Sequence, residues 1–308
     1  MNCLILLHSA TGNTRLLARY ASARIRREGH ACAIHDITVK PRPPSLGKVD
    51  LVGVACPTMY FRPTFALERF VARLAAVAAP KPAFLLATAS GDPGALFPLL
   101  AEQLAHKNLF AVGGHWAMFP ESWPPHRSLV KGLQGGVRVG VGLCGRFPSL
   151  RPLLSVFWPE VGVPGVKDRE ALDRFVKRVL ADAPGFRPEM APFAHTLPRP
   201  TQVFQLMGRL VTPEIARRCT AVQVVPERCS RCGVCVKVCP VGCIHLGKGD
   251  PLPVFGPGCT GCWACFQRCP EAAISGWKVG PGQGRYAGPT GELEHLFAPD
   301  VPAGVISP

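Results

Sequence analysis

Eight cysteines fall in two runs of a single pattern, Cys229-x2-Cys232-x2-Cys235-x3-Cys239-Pro240 and, nineteen residues later, Cys259-x2-Cys262-x2-Cys265-x3-Cys269-Pro270. Thiolates are soft donors. Three of them two residues apart wrap a loop around one iron-sulfur cube and leave its fourth corner to be filled from elsewhere. In a doubled run with a proline after each fourth cysteine, that fourth cysteine ligates the other cube. This places Cys229, Cys232, Cys235 and Cys269 on one 4Fe-4S cluster, and Cys239, Cys259, Cys262 and Cys265 on a second. One zinc ion needs only four thiolates and no Cys-Pro step. A disulfide framework fits poorly, because loops this short pair badly and no secretory signal precedes them.

The stretch resembles the bacterial two-cluster ferredoxin over residues 218–278, which implies a small α+β domain entered by a strand near 221–225. Six cysteines remain: Cys3, Cys32, Cys56, Cys144, Cys219 and Cys243. Scattered single cysteines read as small buried hydrophobes. Cys243, four residues past Cys239, is expected to pack beside a cluster without binding it.

A second group of residues able to do chemistry lies at the start of the chain. Leu4 to Leu7 is an apolar run of strand length, Ser9-Ala10-Thr11-Gly12-Asn13-Thr14 follows it, and helical spacing of Leu16, Leu17, Tyr20 and Ile25 comes next. A strand feeding a hydroxyl-rich turn and then a helix presents free N–H groups to an anion. Ser9, Thr11 and Thr14 add hydroxyls, and Gly12 admits close backbone approach. The absence of Gly-x-Gly-x-x-Gly argues against a dinucleotide, and the absence of a Gly-Lys-Ser/Thr step argues against a nucleoside triphosphate. The turn resembles the phosphate loop of flavodoxins, Ser/Thr-x-Thr-Gly-Asn-Thr, which implies FMN held by Ser9, Thr11, Gly12, Asn13 and Thr14.

The elements that must position these groups alternate along residues 1–182. Strands are expected at 31–37, 50–55, 84–87 and 109–112, with helices at 65–77 and 95–106. That beat predicts an α/β fold, a doubly wound parallel sheet, for which the flavodoxin-like order is 2-1-3-4-5. Ligands in such sheets bind beyond the carboxyl ends of the strands. There lie Pro57, Thr58, Met59, Tyr60 and Phe61 after the third strand, and Ser90, Gly91 and Asp92 after the fourth. In flavodoxins these loops enclose the flavin ring, so the resemblance makes Tyr60 the expected stacking aromatic, with Phe61 second. The sequence departs from that family in having no glycine between Pro57 and Pro63, and in placing the cation Arg62 there.

The expected organisation is a flavodoxin-like domain over 1–182 with a long insertion at about 113–166, a linker over 183–217, the ferredoxin domain over 218–278 and a tail over 279–308. The insertion opens with Gly113-Gly114-His115-Trp116, carries Trp123, Trp158 and the run 137–143, and reads as a lid or interface. His115 is expected to be structural rather than a proton donor. Asp168 is expected to cap the last helix of the first domain, with Leu172, Phe175, Val176 and Val179 on its buried face. Five prolines over 183–200 mark the linker, and 203–211 is apolar enough for a helix packed between domains. Trp277 and Tyr286 are the candidate anchors of the tail.

The chain carries 35 Lys and Arg against 20 Asp and Glu, a formal charge of +15, with most of the excess before residue 200. A basic surface favours an acidic redox partner protein or peripheral contact with an anionic membrane. No nucleic-acid motif accompanies the charge, so nucleic acid is not expected. With no apolar run of spanning length and thiols that must stay reduced, the expected location is the cytoplasm.

Together the halves resemble flavodoxin-ferredoxin fusions, which implies electron transfer between FMN, two 4Fe-4S clusters and a partner. Two alternatives remain open: a flavin-dependent reductase of a quinone or other organic acceptor, and a flavin-free interaction module attached to a ferredoxin. No acid-base pair or nucleophilic triad marks a catalytic centre.

Overall fold

The structure, a computed structural model, describes residues 1–120, 122–131, 164–188 and 201–298. The first half runs β1 (Asn2–Leu7), α1 (Asn13–Arg27), β2 (Ala31–Asp36), β3 (Leu51–Met59), β4 (Arg62–Pro63), α2 (Phe65–Ala72), β5 (Lys81–Ala89), α3 (Leu96–Ala105), β6 (Leu109–Met118), α4 (Pro124–Lys131) and α5 (Val166–Asp182). Strands lie side by side as β2-β1-β3-β5-β6, every pair parallel. The short β4 folds back antiparallel on the end of β3. Setting that ribbon aside, the order is the expected flavodoxin-like 2-1-3-4-5.

Period-2 alternation divides the apolar residues between two faces. Ile5 and Leu7 of β1, Phe84 and Leu86 of β5 pack under α1 and α5. Leu6, Val52, Val54 and Leu85 face the opposite way, against α2 and α3. A sheet covered on both sides buries its strands almost completely, which is why they read as continuous apolar runs.

Two expectations about this half need correction, and one holds. The last strand continues to Met118, so Gly113 to Trp116 pair with β5 and do not open the insertion. His115 stacks on Phe175 with centroids 5.5 Å apart, and burial pushes its pKa down to about 4, which bears out the structural reading. The cap of α5 is Gly165, not Asp168. Asp168 sits one turn in, and its Oδ2 accepts from the Gly165 amide at 2.7 Å, the reach-back half of a capping box. The run 137–143, Cys144 and Trp158 lie outside the described residues.

The second half adds α6 (Gln202–Leu210), α7 (Pro213–Arg218), β7 (Gln223–Val224), α8 (Val234–Lys237), β8 (Ile244–His245), β9 (Val254–Phe255), α9 (Ala264–Arg268), β10 (Ile274–Ser275) and α10 (Glu292–Leu296). Two antiparallel ribbons, β7 with β10 and β8 with β9, flank the cysteine loops. The two runs are copies in backbone as well as in sequence. Positive φ at Arg231, Gly233 and Gly242 recurs thirty residues on at Gly261, Trp263 and Ala272. The Cys243 amide donates to Cys239 Sγ at 3.3 Å, as the Ala273 amide does to Cys269 Sγ at 3.2 Å.

The apolar stretch expected to pack between domains does so, whereas the tail departs from its expectation. Helix α6 lies against the first domain: Phe204 stacks on Phe61 at 4.7 Å, and the Thr201 amide donates to Asp92 Oδ2 at 2.8 Å. The expected tail turns back, and Leu293, Leu296 and Phe297 enter the core beneath α1, with Phe297 edge-on to Tyr20 at 5.6 Å. Burying those three side chains outweighs the entropy of ordering a short Gly- and Pro-rich return.

Candidate functional site

The eight cysteines gather as two cages. Cys229, Cys232, Cys235 and Cys269 line one hollow together with Val224, Pro253 and Ile274. Cys239, Cys259, Cys262 and Cys265 line the other, with Thr220, Thr260 and Trp263. The fourth cysteine of each run has crossed to the other cage, as the spacing predicts. Among the described residues no three His, Cys, Asp or Glu side chains converge tightly enough for a single metal ion. The sulfurs surround hollows, and a hollow suits a cube whose corners bind separate thiolates.

Electrostatics in the second cage turn on Cys243. Its thiol lies 3.5 Å from Cys239 Sγ, and the hydrogen bond holds Cys239 down at about 6. The neighbouring Cys243 thiol also lowers the pKa of Cys259, while burial pushes Cys262 up to about 12. Cys243 thus packs beside the cage as expected, with its sulfur within hydrogen-bond reach of Cys239 Sγ. The repeat has Ala273 at that position, so the first cage has no such thiol.

A cavity of about 340 Å³ opens at the carboxyl ends of β1, β3 and β5. Ser9, Thr11, Asn13 and Thr14 line one part of it, and Pro57 to Phe61 with Ser90 to Asp92 line another. Of the thirteen residues expected here, only Gly12 is not on the wall. Its φ of 114° instead shapes the turn, and a Cβ there would come within 3.0 Å of Pro289.

The turn is pre-formed. Ser9 Oγ accepts from the amides of Gly12 and Arg15, both at 3.2 Å, and Thr14 Oγ1 pairs with Thr88 Oγ1 at 2.7 Å. The first turn of α1, whose N–H groups have no partner inside the helix, begins at the same end of the cavity. The returning C-terminal segment braces this loop from outside. Tyr286 donates its phenol to Asn13 Oδ1 at 2.8 Å, and its amide donates to Gln267 Oε1 at 2.9 Å.

Tyr60 and Phe61 occupy a two-residue turn between β3 and β4, with φ of 55° and 59°. Left-handed turns of this kind favour Asn-Gly. Two aromatics there carry backbone strain of about 1–3 kcal/mol each, of the kind that collects at functional sites. Tyr60 lines the cavity, and its hydroxyl reaches across the domain boundary to Thr220 Oγ1 at 3.1 Å and Gly261 O at 3.4 Å. Burial pushes its pKa up to about 12, so the phenol stays neutral.

Arg62 does not face the cavity. Its Nη2 pairs with Glu68 Oε1 at 2.9 Å, its guanidinium lies over Phe65 at 4.3 Å, and Nη1 donates to the carbonyls of Gly208 and Val211. The expected cation beside a ring is therefore neutralised by Glu68 and spent on holding α6.

The remaining wall comes from the α4 segment and from the second half. Trp123, His126, Phe204, Met207, Val211, Ile215, Cys219, Cys262, Trp263 and Gln267 all line the cavity. None was legible as a site residue apart from Cys262, because each arrives by packing rather than by motif. Trp123 stands edge-on to Tyr60 at 6.1 Å and stacked with Trp277 at 6.4 Å. The chamber thus offers hydroxyls and a helix start at one end, aromatic rings along its walls, and a cysteine of the second cage on its floor.

A family model described as a 4Fe-4S binding domain matches residues 222–245. An uncharacterized protein in the rpl9-rpl11 intergenic region of Porphyra purpurea is 38% identical over 53 residues, covering 15% of this chain and 71% of that protein. Among solved structures, a flavodoxin from the domain Archaea is 13% identical with a TM-score of 0.37, over 60% of this chain and 99% of that one. Oxidised flavodoxin 1 from Bacillus cereus is 14% identical with a TM-score of 0.38, over 59% and 98%. By its own strand order and the matched segment, the chain is a fusion of a flavodoxin-like α/β domain with a ferredoxin-type 4Fe-4S domain. Among the described residues no helix is long and apolar enough to cross a membrane.

Proposed function

We propose that this is an electron-transfer protein holding FMN in the interdomain cavity and one 4Fe-4S cluster in each cysteine cage, and that it serves an acidic redox partner protein. The observation that carries the reading is a shared wall: Cys262 and Trp263 line the same cavity as the Ser9–Thr14 turn and the Ser90–Asp92 loop. Bound there, FMN supplies exchange between two-electron and one-electron chemistry. The chain's own residues bind, orient and exclude water. Ser9, Thr11 and Thr14 offer hydroxyls to a monophosphate beside the start of α1. Tyr60 and Trp123 offer aromatic faces, while Tyr60's phenol fixes the distance between the flavin loop and the second cage. The basic excess suits docking to an acidic surface.

Anaerobically purified protein is expected to show oxidised-flavin bands beside broad iron-sulfur absorption, with FMN near one and iron near eight per chain. Replacing Thr11 and Thr14 by bulky residues should deplete FMN and leave iron unchanged. Zinc in place of iron, or flavin retained by the threonine variants, would overturn the assignment. A second reading, reduction of a quinone or similar acceptor, is favoured by the apolar side of the cavity at Met207, Val211 and Ile215. Steady-state turnover with soluble quinones separates the two.

A further inference from the structure

Among the described residues nine large apolar side chains stand exposed, and five of them fall between Val203 and Ile215. Val203, Leu206, Met207 and Leu210 recur at the i, i+3, i+4, i+7 spacing of one helix face, and they are 54%, 58%, 44% and 64% exposed. Such a stripe normally turns inward. Here it cannot, because the opposite side of α6 is already committed: Phe204 stacks on Phe61, and Gly208 lies so close to the Phe61 carbonyl that a Cβ would be 2.0 Å from its oxygen. The helix is also pinned at both ends, by Asp92 at Thr201 and by Arg62 at its last carbonyls. The apolar face is therefore a fixed feature of a firmly seated element.

We infer that the outward face of α6, continued by Ile215 of α7, is a contact surface for an anionic lipid membrane. Charge and composition select this occupant over another protein. The stripe is aliphatic and methionine with no Trp or Tyr, whereas protein hot spots are built around Trp, Tyr and Arg seated in pockets. Arg209 is half exposed and loosely paired with Glu102 at 4.0 Å, while Arg217 and Arg218 are exposed at the end of α7, where Glu214 is the single acid of these two helices. An apolar face rimmed by arginines on a chain of charge +15 combines the two signals that peripheral membrane binding requires. Met207 and Ile215, each 44% exposed, also line the cavity, so its mouth lies on the same face.

The test is co-sedimentation of the full holoprotein with vesicles of phosphatidylcholine containing about one third phosphatidylglycerol, a fraction chosen to give a strongly negative surface. Wild type should bind these vesicles and lose at least about tenfold in affinity at high salt, as screening predicts. Leu206→Asp with Leu210→Asp, two positions off the cavity wall, should lose at least about tenfold with iron and flavin content unchanged, each charge being unfavourable in the interface. Leu206→Met with Leu210→Met should bind like wild type. Three results would overturn the inference: no binding by wild type, equal binding to pure phosphatidylcholine, or equal binding by the aspartate variant. A concentration-dependent dimer abolished by the same aspartates, without vesicle binding, would assign the face to a second copy instead. These outcomes do not depend on whether the cavity holds flavin.

Discussion

The two cysteine runs share spacing, backbone conformation and local hydrogen bonds, yet their surroundings differ. At one left-handed position the first run has Gly233 with φ 70° and the second has Trp263 with φ 58°. At another, Arg231 in the first corresponds to Gly261 in the second. The exchange follows the neighbours. Trp263 is 1% exposed, stands edge-on to Phe266 at 5.3 Å and forms part of the cavity wall, so its side chain offsets a backbone cost of about 1–2 kcal/mol. Gly261 runs beneath α7, where a Cβ would come within 2.6 Å of Thr220 Oγ1. In the first run Cys232, Arg231 and Arg228 are exposed. One motif has thus produced a cage facing solvent and a cage built into the junction.

Removing one ligand from each cage tests this contrast most severely. Cys262→Ser and Cys232→Ser should each lower iron by about half, but only Cys262→Ser should also loosen flavin, measured as FMN released on gel filtration. Equal flavin loss in both would erase the distinction. Next in size, Trp263→Gly should destabilise by about 3–5 kcal/mol through the space it empties, against about 1 kcal/mol for Gly233→Ala, both read from denaturant midpoints. Gly208→Ala probes the seating of α6. The close approach to Phe61 predicts a loss of about 1–3 kcal/mol and weaker flavin retention, with iron unaffected.

The smallest effect concerns acid. Burial lowers the pKa of His8 and His115 to about 4, from an ordinary 6.5. Between those values the unfolded chain binds the extra protons, so stability is full above about pH 6.5 and falls as pH drops toward 4. Moving from pH 7 to 5.5 should cost about 1 kcal/mol per histidine in the sheet domain, followed by circular dichroism. His115→Phe should flatten its share of that slope.

Much of this was legible along the chain. The cage membership followed from cysteine spacing because ligand geometry is local, and the sheet order followed from apolar runs alternating with helices. The loop at Ser9 to Thr14 and the loops at Pro57 and Ser90 also announced themselves, since turn chemistry is written in adjacent residues. What failed were statements about ends and edges. The strand through His115 and Trp116 looked like the start of a loop because its glycines resemble punctuation. Gln202 to Leu210 was legible as a helix packed between domains, but not its partner, since Phe61 is distant in sequence.

Arg62 marks the same divide. Its charge was visible, but its direction was not, since Glu68 and the carbonyls of α6 compete with the cavity for one guanidinium. The sequence alone determined which thiols share a cage, which turn leads from β1 into α1 and which strands lie side by side, because these depend on short-range spacing and on a period. Only the tertiary structure decided that one cage adjoins the cavity while the other faces water, that Tyr60 ties the cavity to the second cage, and that the C-terminal segment braces Asn13. Those facts depend on which buried surfaces meet, and packing selects among partners hundreds of residues apart by fit rather than by any local signal.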